Sequence, residues 1–256
     1  MIHPTAIIDG SAKIGSGVAI GPYSVIGEGV EIGDETWIGP LVVIQGPTRI
    51  GRRNRIYQFN SIGDVPQDKK FEGETSSLEI GDGNTIREYC TFNRGTRHGG
   101  GITRVGDDNW IMAYVHVAHD CQVGSGVVMA NNATLAGHVQ VEDHAILGGF
   151  TGVHQFCRIG QHSFSAISSV IVKDVPPFTL VAGNTAKPTG LNKEGLRRHG
   201  FSAEEVSTLN SAYRIVYRDG LLLRDALTRL EELAEESRKV AAFAEFIRRS
   251  ERGIVR

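Results

Sequence analysis

The feature that most constrains this chain is a large aliphatic residue that returns at every sixth position. It runs without a gap from Ile2, Ile8, Ile14 and Ile20 to Ile56 and Ile62, then resumes as Ile80, Ile86 and Phe92. After a one-residue change of frame it continues through Val105, Ile111, Val117 and Val123 to Ile159, Ser165 and Ile171. A period of six matches no helical face, whereas short stacked repeats of this length are the mark of a parallel β-helix. Two residues before each aliphatic stands a small or β-branched residue, such as Val18, Ser24, Val30, Thr36, Val115, Cys121 and Val127. Residues two apart share one face of a strand, so each triplet predicts a short strand with both ends turned inward. Glycine often follows the aliphatic, as at Gly15, Gly21, Gly33 and Gly124, which predicts tight corners at positive φ. Three strands and three corners make a triangular coil of eighteen residues.

Three departures from the period divide the chain. A polar excursion near 63–78 contains Asp68 and Lys70, and a glycine-rich one near 94–104 begins at Arg94. The repeat ends at Asp174-Val-Pro-Pro-Phe178, and past Pro188 the pattern becomes helical. Ser202-Ala-Glu-Glu205 is a capping box ahead of a helix that ends near Gly220, and 222–234 and 238–249 predict two more. The expected organisation is a parallel β-helix over 1–188 and an α-helical domain over 189–256. A net charge of −2 argues against nonspecific nucleic-acid binding. No apolar run is long enough to span a membrane, and Met1-Ile-His-Pro4 lacks the basic and apolar regions of a signal peptide. These features place the chain in the cytoplasm. Cys90, Cys121 and Cys157 all fall on small inward positions. The last two lie two coils apart, ~10 Å at the usual strand spacing, too far for a disulfide.

Residues eighteen apart should stack, which gives the histidines meaning. His119, Gly137 and Gln155 form one expected column, Asp120 and His138 the next, and His116 and His154 lie within a few residues of both. With Val115 and Val117 inward, this predicts four imidazoles and a carboxylate on one strip of the outer surface. His144 and His162 also stack, on another corner and with no third partner expected. Two chemistries suit the strip. Several imidazoles suit zinc, although His116 and His119 fall on different sides of a corner. Alternatively, His119 beside Asp120 and His138 acts as a general base towards a hydroxyl, with the Gly137 N–H available to an oxyanion. No Ser or Cys beside them stands out as a nucleophile, so no covalent intermediate is expected.

The hexads, together with Ala118-His119-Asp120-Cys121, Leu135-Ala-Gly137-His138, Val153-His154-Gln155-Phe-Cys157, Asn192-Lys-Glu194-Gly-Leu-Arg-Arg198 and the closing Arg252-Gly-Ile-Val-Arg256, resemble the bacterial UDP-N-acetylglucosamine O-acyltransferases of lipid A biosynthesis. The likeness covers essentially the whole chain. It implies a left-handed parallel β-helix of hexapeptide repeats with a C-terminal α-helical domain, and a homotrimer with active sites between subunits. It also implies transfer of an R-3-hydroxyacyl group from acyl carrier protein to the sugar 3-hydroxyl, with no metal and no cofactor. By motif, His119 matches the family's general base, Asp120 the residue that orients it and Gly137 the oxyanion-binding amide. His116 and His138 match sugar contacts, and Asp68 and Lys70 match a loop reaching the substrate from the neighbouring subunit. His154, Gln155, Asn192, Glu194 and Arg198 match groups near the acyl chain or the nucleotide; His199 stands where the family often has a second basic residue. Asn131, Gly149 and Ile167 resemble the acyl-chain groove, and a stiff β-branched residue at Ile167 favours a shorter chain, about ten carbons rather than about fourteen. For the acidic carrier, Arg214, Arg218, Arg224, Arg248 and Arg249 are candidate contacts.

Each rival reading has a feature that would set it apart. The sister N-acyltransferase carries an additional N-terminal uridine-binding domain, and hexapeptide acetyltransferases that use acetyl-CoA usually have a shorter coil. Zinc bound to the purified protein would favour a zinc-dependent carbonic anhydrase, and a flat non-enzymatic scaffold of the ice-binding kind needs rows of threonine that this sequence does not show.

Overall fold

A computed structural model describes residues 1–256. The hexads build three parallel sheets that form the faces of a prism. The first face holds nine strands from Ile7–Ile8 to Val170–Ile171, and the second holds eight from Lys13–Ile14 to Arg158–Ile159. The third starts at Ala19–Ile20 and has ten. Pairing advances by eighteen residues, with Val25 on Val43, His116 on Thr134 and Thr134 on Gly152. Two coils are longer, because Ser61 pairs with Thr91 and Thr91 with His116. Both extra lengths leave the coil at the same corner, between the first and second faces.

The core is the stack of inward aliphatics, a single cluster of 39 buried residues in which Ile38, Ile44, Ile56, Ile62 and Ile86 are fully enclosed. At three inward asparagines the side chains pair along the prism. Asn84 N donates to Asn54 Oδ1 at 2.9 Å, Asn109 N donates to Asn84 Oδ1 at 2.9 Å, and Val127 N donates to Asn109 Oδ1 at 2.7 Å. This ladder satisfies corner amides that no strand reaches.

The corners correct one expectation. Positive φ falls on the third residue after the aliphatic, at Gly17 and Gly29 but also at Tyr23, Phe59, Tyr89, Tyr114, Asp120 and His138. The glycines that directly follow the aliphatics serve close stacking instead. A Cβ on Gly21 would lie 2.6 Å from the carbonyl carbon of Gly39, and one on Gly33 2.6 Å from that of Gly51. Glycine is needed there because two backbones meet.

The sheet runs past the expected end of the repeat. Thr179–Ala182 adds a rung to the third face, and Lys187–Leu191 folds back antiparallel on it. Four helices follow: α1 (Lys193–Arg198), which sequence periodicity did not reveal, α2 (Ala203–Tyr217), α3 (Leu223–Ala234) and α4 (Arg238–Arg248). The capping box at Ser202 and Glu205 forms as expected. These helices enclose a second core around Leu209, Tyr213, Leu230, Phe243 and Ile247. The C-terminal tail stitches the two cores together, since Ile254 belongs to the helical core and Val255 to the coil. No helix is long and apolar enough to cross a membrane.

Candidate active site

The corner that carries both excursions also carries His119 and Asp120. The second excursion folds back over the carboxylate. Thr96 N donates to Asp120 Oδ1 at 2.8 Å and Thr96 Oγ donates to Oδ2 at 2.7 Å, while Asp120 N donates to Thr103 Oγ at 2.8 Å. Asp120 was expected on the outer surface. It is instead only 4 % exposed, because a loop twenty-four residues earlier closes on it. Burial alone would raise its carboxyl, but the donors on His119 and Thr96 together hold it below the ordinary range. The ionised carboxylate accepts from His119 Nδ1 at 2.8 Å, which leaves Nε2 as the ring's acceptor.

One coil further on, His138 completes the cluster. Its Nε2 lies 3.8 Å from Asp120 Oδ2, and its ring meets His119 edge-on at 5.1 Å and stacks on Phe156 at 4.4 Å. Burial lowers the pKa values of both His138 and His116, so each is neutral near pH 7 and free to hydrogen-bond. His116 Nδ1 is held by Thr91 Oγ at 2.7 Å. The expected column is present, since His138 N donates to His119 O at 3.0 Å and Phe156 N to Gly137 O at 3.2 Å. Gly137 gives His119 its room: a Cβ there would lie 2.7 Å from Nε2. Its N–H donates to no acceptor within the chain. His154 sits at the column's end, where its Nδ1 lies 3.2 Å from Gln155 O and 3.3 Å from Arg252 Nη2.

Other predicted residues lie elsewhere. Asn192, Glu194 and Arg198 sit on α1 against the corner between the second and third faces. Asn192 is consumed internally, accepting from Gly195 N at 3.1 Å and donating to His162 O at 3.0 Å. Glu194 pairs with Arg197 at 3.0 Å and Arg198 at 2.9 Å. Asn131, Gly149 and Ile167 form a column on the corner between the third and first faces, with Ile167 exposed. The excursion bearing Asp68 and Lys70 leans on its neighbour through Arg97 N and Glu74 Oε1 at 3.1 Å, and the Asp68 charge is felt at His138. His144 and His162 do acquire a third partner. His199 approaches them at 4.9 and 4.8 Å, brought there by α1.

The same fold recurs in solved structures. The UDP-N-acetylglucosamine acyltransferase of Francisella novicida matches with TM-score 0.98 at 44 % identity, covering 100 % of this chain and 94 % of that one. The enzyme of Moraxella catarrhalis matches with TM-score 0.97 at 50 % identity, covering 100 % and 99 %. The model "Udp N-acetylglucosamine O-acyltransferase; Domain 2" matches residues 174–255, and the bacterial transferase hexapeptide model matches 102–137. An acyl-[acyl-carrier-protein]–UDP-N-acetylglucosamine O-acyltransferase from Thiobacillus denitrificans is 57 % identical over 100 % of this chain and 99 % of its own length. The chain belongs to the UDP-N-acetylglucosamine O-acyltransferase family. Its coil is accordingly the left-handed parallel β-helix of that family.

A cleft lies beside Asp120 and His138. It is lined by the turn His98–Gly100, the tail Arg248–Arg252, and Arg104 and Arg158. Arg252, Thr96 and Phe156 were not singled out from sequence. Column arithmetic reaches Phe156, eighteen residues after His138, but nothing periodic points to the other two. His119, Asp120 and His138 offer donor atoms within 4.8 Å of one another, yet a cation there would have to displace the bond between His119 Nδ1 and Asp120. The thiols take no part: Cys121 is buried and pushed up to about 12.

Proposed function

We propose that this chain transfers a 3-hydroxyacyl group from the thioester of an acyl carrier protein to the 3-hydroxyl of UDP-N-acetylglucosamine, with His119 as general base and no acyl-enzyme. His119 Nε2 takes the proton of the sugar hydroxyl as its oxygen attacks the thioester carbonyl. The resulting oxyanion is met by the Gly137 N–H. Collapse expels the carrier's thiolate, which takes back the proton from His119. The observation that carries this reading is the 2.8 Å bond from His119 Nδ1 to a buried, ionised Asp120. It fixes the tautomer that leaves Nε2 basic, beside Gly137, and stabilises the imidazolium formed in attack. The names of the relatives supply the donor and acceptor.

His116 and His138 would contact the sugar. Asp68 and Lys70 would touch the glucosamine and acyl parts from the neighbouring subunit, and His154, Gln155, Asn192, Glu194 and Arg198 would lie near the acyl chain or the nucleotide, Asn192 through its backbone or after release from His162. Because α1 and the His119 corner occupy different edges of one prism, a site using both needs a second copy of the chain. That supports a homotrimer with sites between subunits, working in the cytoplasm with a carrier protein. The test is a mass-spectrometric assay of sugar acylation by a hydroxyacyl carrier protein. His119→Ala should lose about a thousandfold in kcat/KM. A variant within tenfold of the parent removes His119 from the base role.

A further inference from the structure

We infer that Thr96 is a positioning residue for the base, acting on His119 through the carboxylate of Asp120. Thr96 is 3 % exposed and so does not touch substrate. Its influence runs through two bonds to one partner: its N–H holds Oδ1 at 2.8 Å and its hydroxyl holds Oδ2 at 2.7 Å. Oδ2 is the same oxygen that accepts from His119 Nδ1. The direction of the hydroxyl proton is settled by the turn that follows. Gly99 N donates to Thr96 Oγ at 3.2 Å, so one lone pair is occupied and the proton is left for Asp120. Gly99 in turn must lack a side chain, because a Cβ there would collide with the Asp120 carboxylate. The turn, the hydroxyl and the carboxylate are thus one fitted unit. Gripped at both oxygens, Asp120 cannot rotate away from His119 or turn its charge towards another donor.

Two consequences separate this role from packing. A carboxylate that shares its charge with a hydroxyl presents less of it to the imidazole, so removing the hydroxyl makes Asp120 attract the His119 proton more strongly. Releasing one oxygen also loosens the plane in which the imidazole is held, which acts on turnover rather than on substrate binding. The inference rests on His119 being the base.

The experiment compares Thr96→Val, which keeps the N–H bond and shape but drops the hydroxyl, with Thr96→Ser and with His119→Ala. Each is assayed for sugar acylation across pH 5 to 9. The His119 ring nitrogens are followed by NMR titration in the parent and in both Thr96 variants. Thr96→Val should lower kcat by about ten- to a hundredfold with KM changed less than about threefold, and move the acid limb of kcat/KM and the His119 titration upward by about half a pH unit or more. Thr96→Ser should restore the parent profile. An unmoved titration in Thr96→Val overturns the inference, even if activity falls, because lost packing alone would not move it. So does a Thr96→Ser enzyme as impaired as Thr96→Val. Should valine unfold the loop, Thr96→Ala is read by the same titration. If His119→Ala keeps its activity, the base reading itself has failed, whatever Thr96 does.

Discussion

Replacing Ile167 with glycine tests how this enzyme selects its acyl chain. Ile167 is 71 % exposed in the isolated chain, so it contributes little to the core and its loss costs little stability. Gly149, one coil away, leaves the strip flat beneath it; a Cβ there would reach Ile167 Cγ1 only at 3.9 Å. The isoleucine therefore stands up beside Gly149, and its β-branch leaves it few ways to turn aside. If the acyl chain lies along Asn131 and Gly149, as the family resemblance implies, it meets Ile167 end-on. Each buried methylene beyond that point is worth ~0.8 kcal/mol, so the four that separate about ten carbons from about fourteen amount to about 3 kcal/mol, or about two hundredfold. A groove open on one side realises part of this, and a swing of at least about tenfold in relative kcat/KM is expected. The assay is a competition among hydroxyacyl carrier proteins of graded length, read by mass spectrometry of the acylated sugar. Parent enzyme should favour the shorter donor and Ile167→Gly the longer. Ile167→Ala should fall between them, which separates lost bulk from glycine's backbone cost of about 0.5–1 kcal/mol. A preference ratio that moves less than twofold in a folded variant would refute the steric stop.

Three further outcomes follow from the geometry. Gly137→Ala should lower kcat about a hundredfold while leaving the melting temperature nearly unchanged, because the new Cβ, 2.7 Å from Nε2, displaces the His119 ring without entering the core. Asn84→Ala removes the acceptor for Asn109 N and a donor to Asn54. It should cost about 2–4 kcal/mol, read as a lower urea midpoint at unchanged slope. Stability should also fall in mild acid. Burial, with His144, His199 and Lys239 nearby, lowers His162 to about 4, against a smaller opposing pull from Asp143. The unfolded chain therefore takes that proton first as pH drops. The stabilisation is complete above about pH 6.5, fades from there towards pH 4, and amounts to at most about 3 kcal/mol. His162→Phe should flatten the melting temperature across that window.

What the sequence reveals here is set by periodicity. An inward Ile38 or Cys121, the column His119, Gly137 and Gln155, and even the unnoticed Phe156 follow from counting in eighteens, because in a regular coil each residue's environment is repeated one turn away. The same counting misjudged the glycines. Gly21 and Gly33 avoid the backbone of the next coil, a contact between turns that no single hexad displays, while Tyr23 and Tyr114 accept the positive φ. It also missed α1, a single turn and a half held by Leu196 and by the Asn192 side chain, and with it the meeting of His199 with His144 and His162.

The misplacement of Asp120 shows why the chemistry is harder to read than the scaffold. A perfect prism has only an exposed outer surface, on which a carboxylate would be hydrated and an imidazole beside it ordinary. Burial of Asp120 requires a segment that leaves the repeat, and both such segments leave at the corner where His119 lies. Thr96 therefore reaches the site from a segment where the eighteen-residue rule does not hold, and Glu74 of the other such segment braces it. The repeat supplies rigid spacing between His119, Gly137 and His138, and the interruptions supply the low-dielectric cover over the hydrogen bond from His119 to the Asp120 carboxylate. In this fold the breaks in the period are the places to search for function.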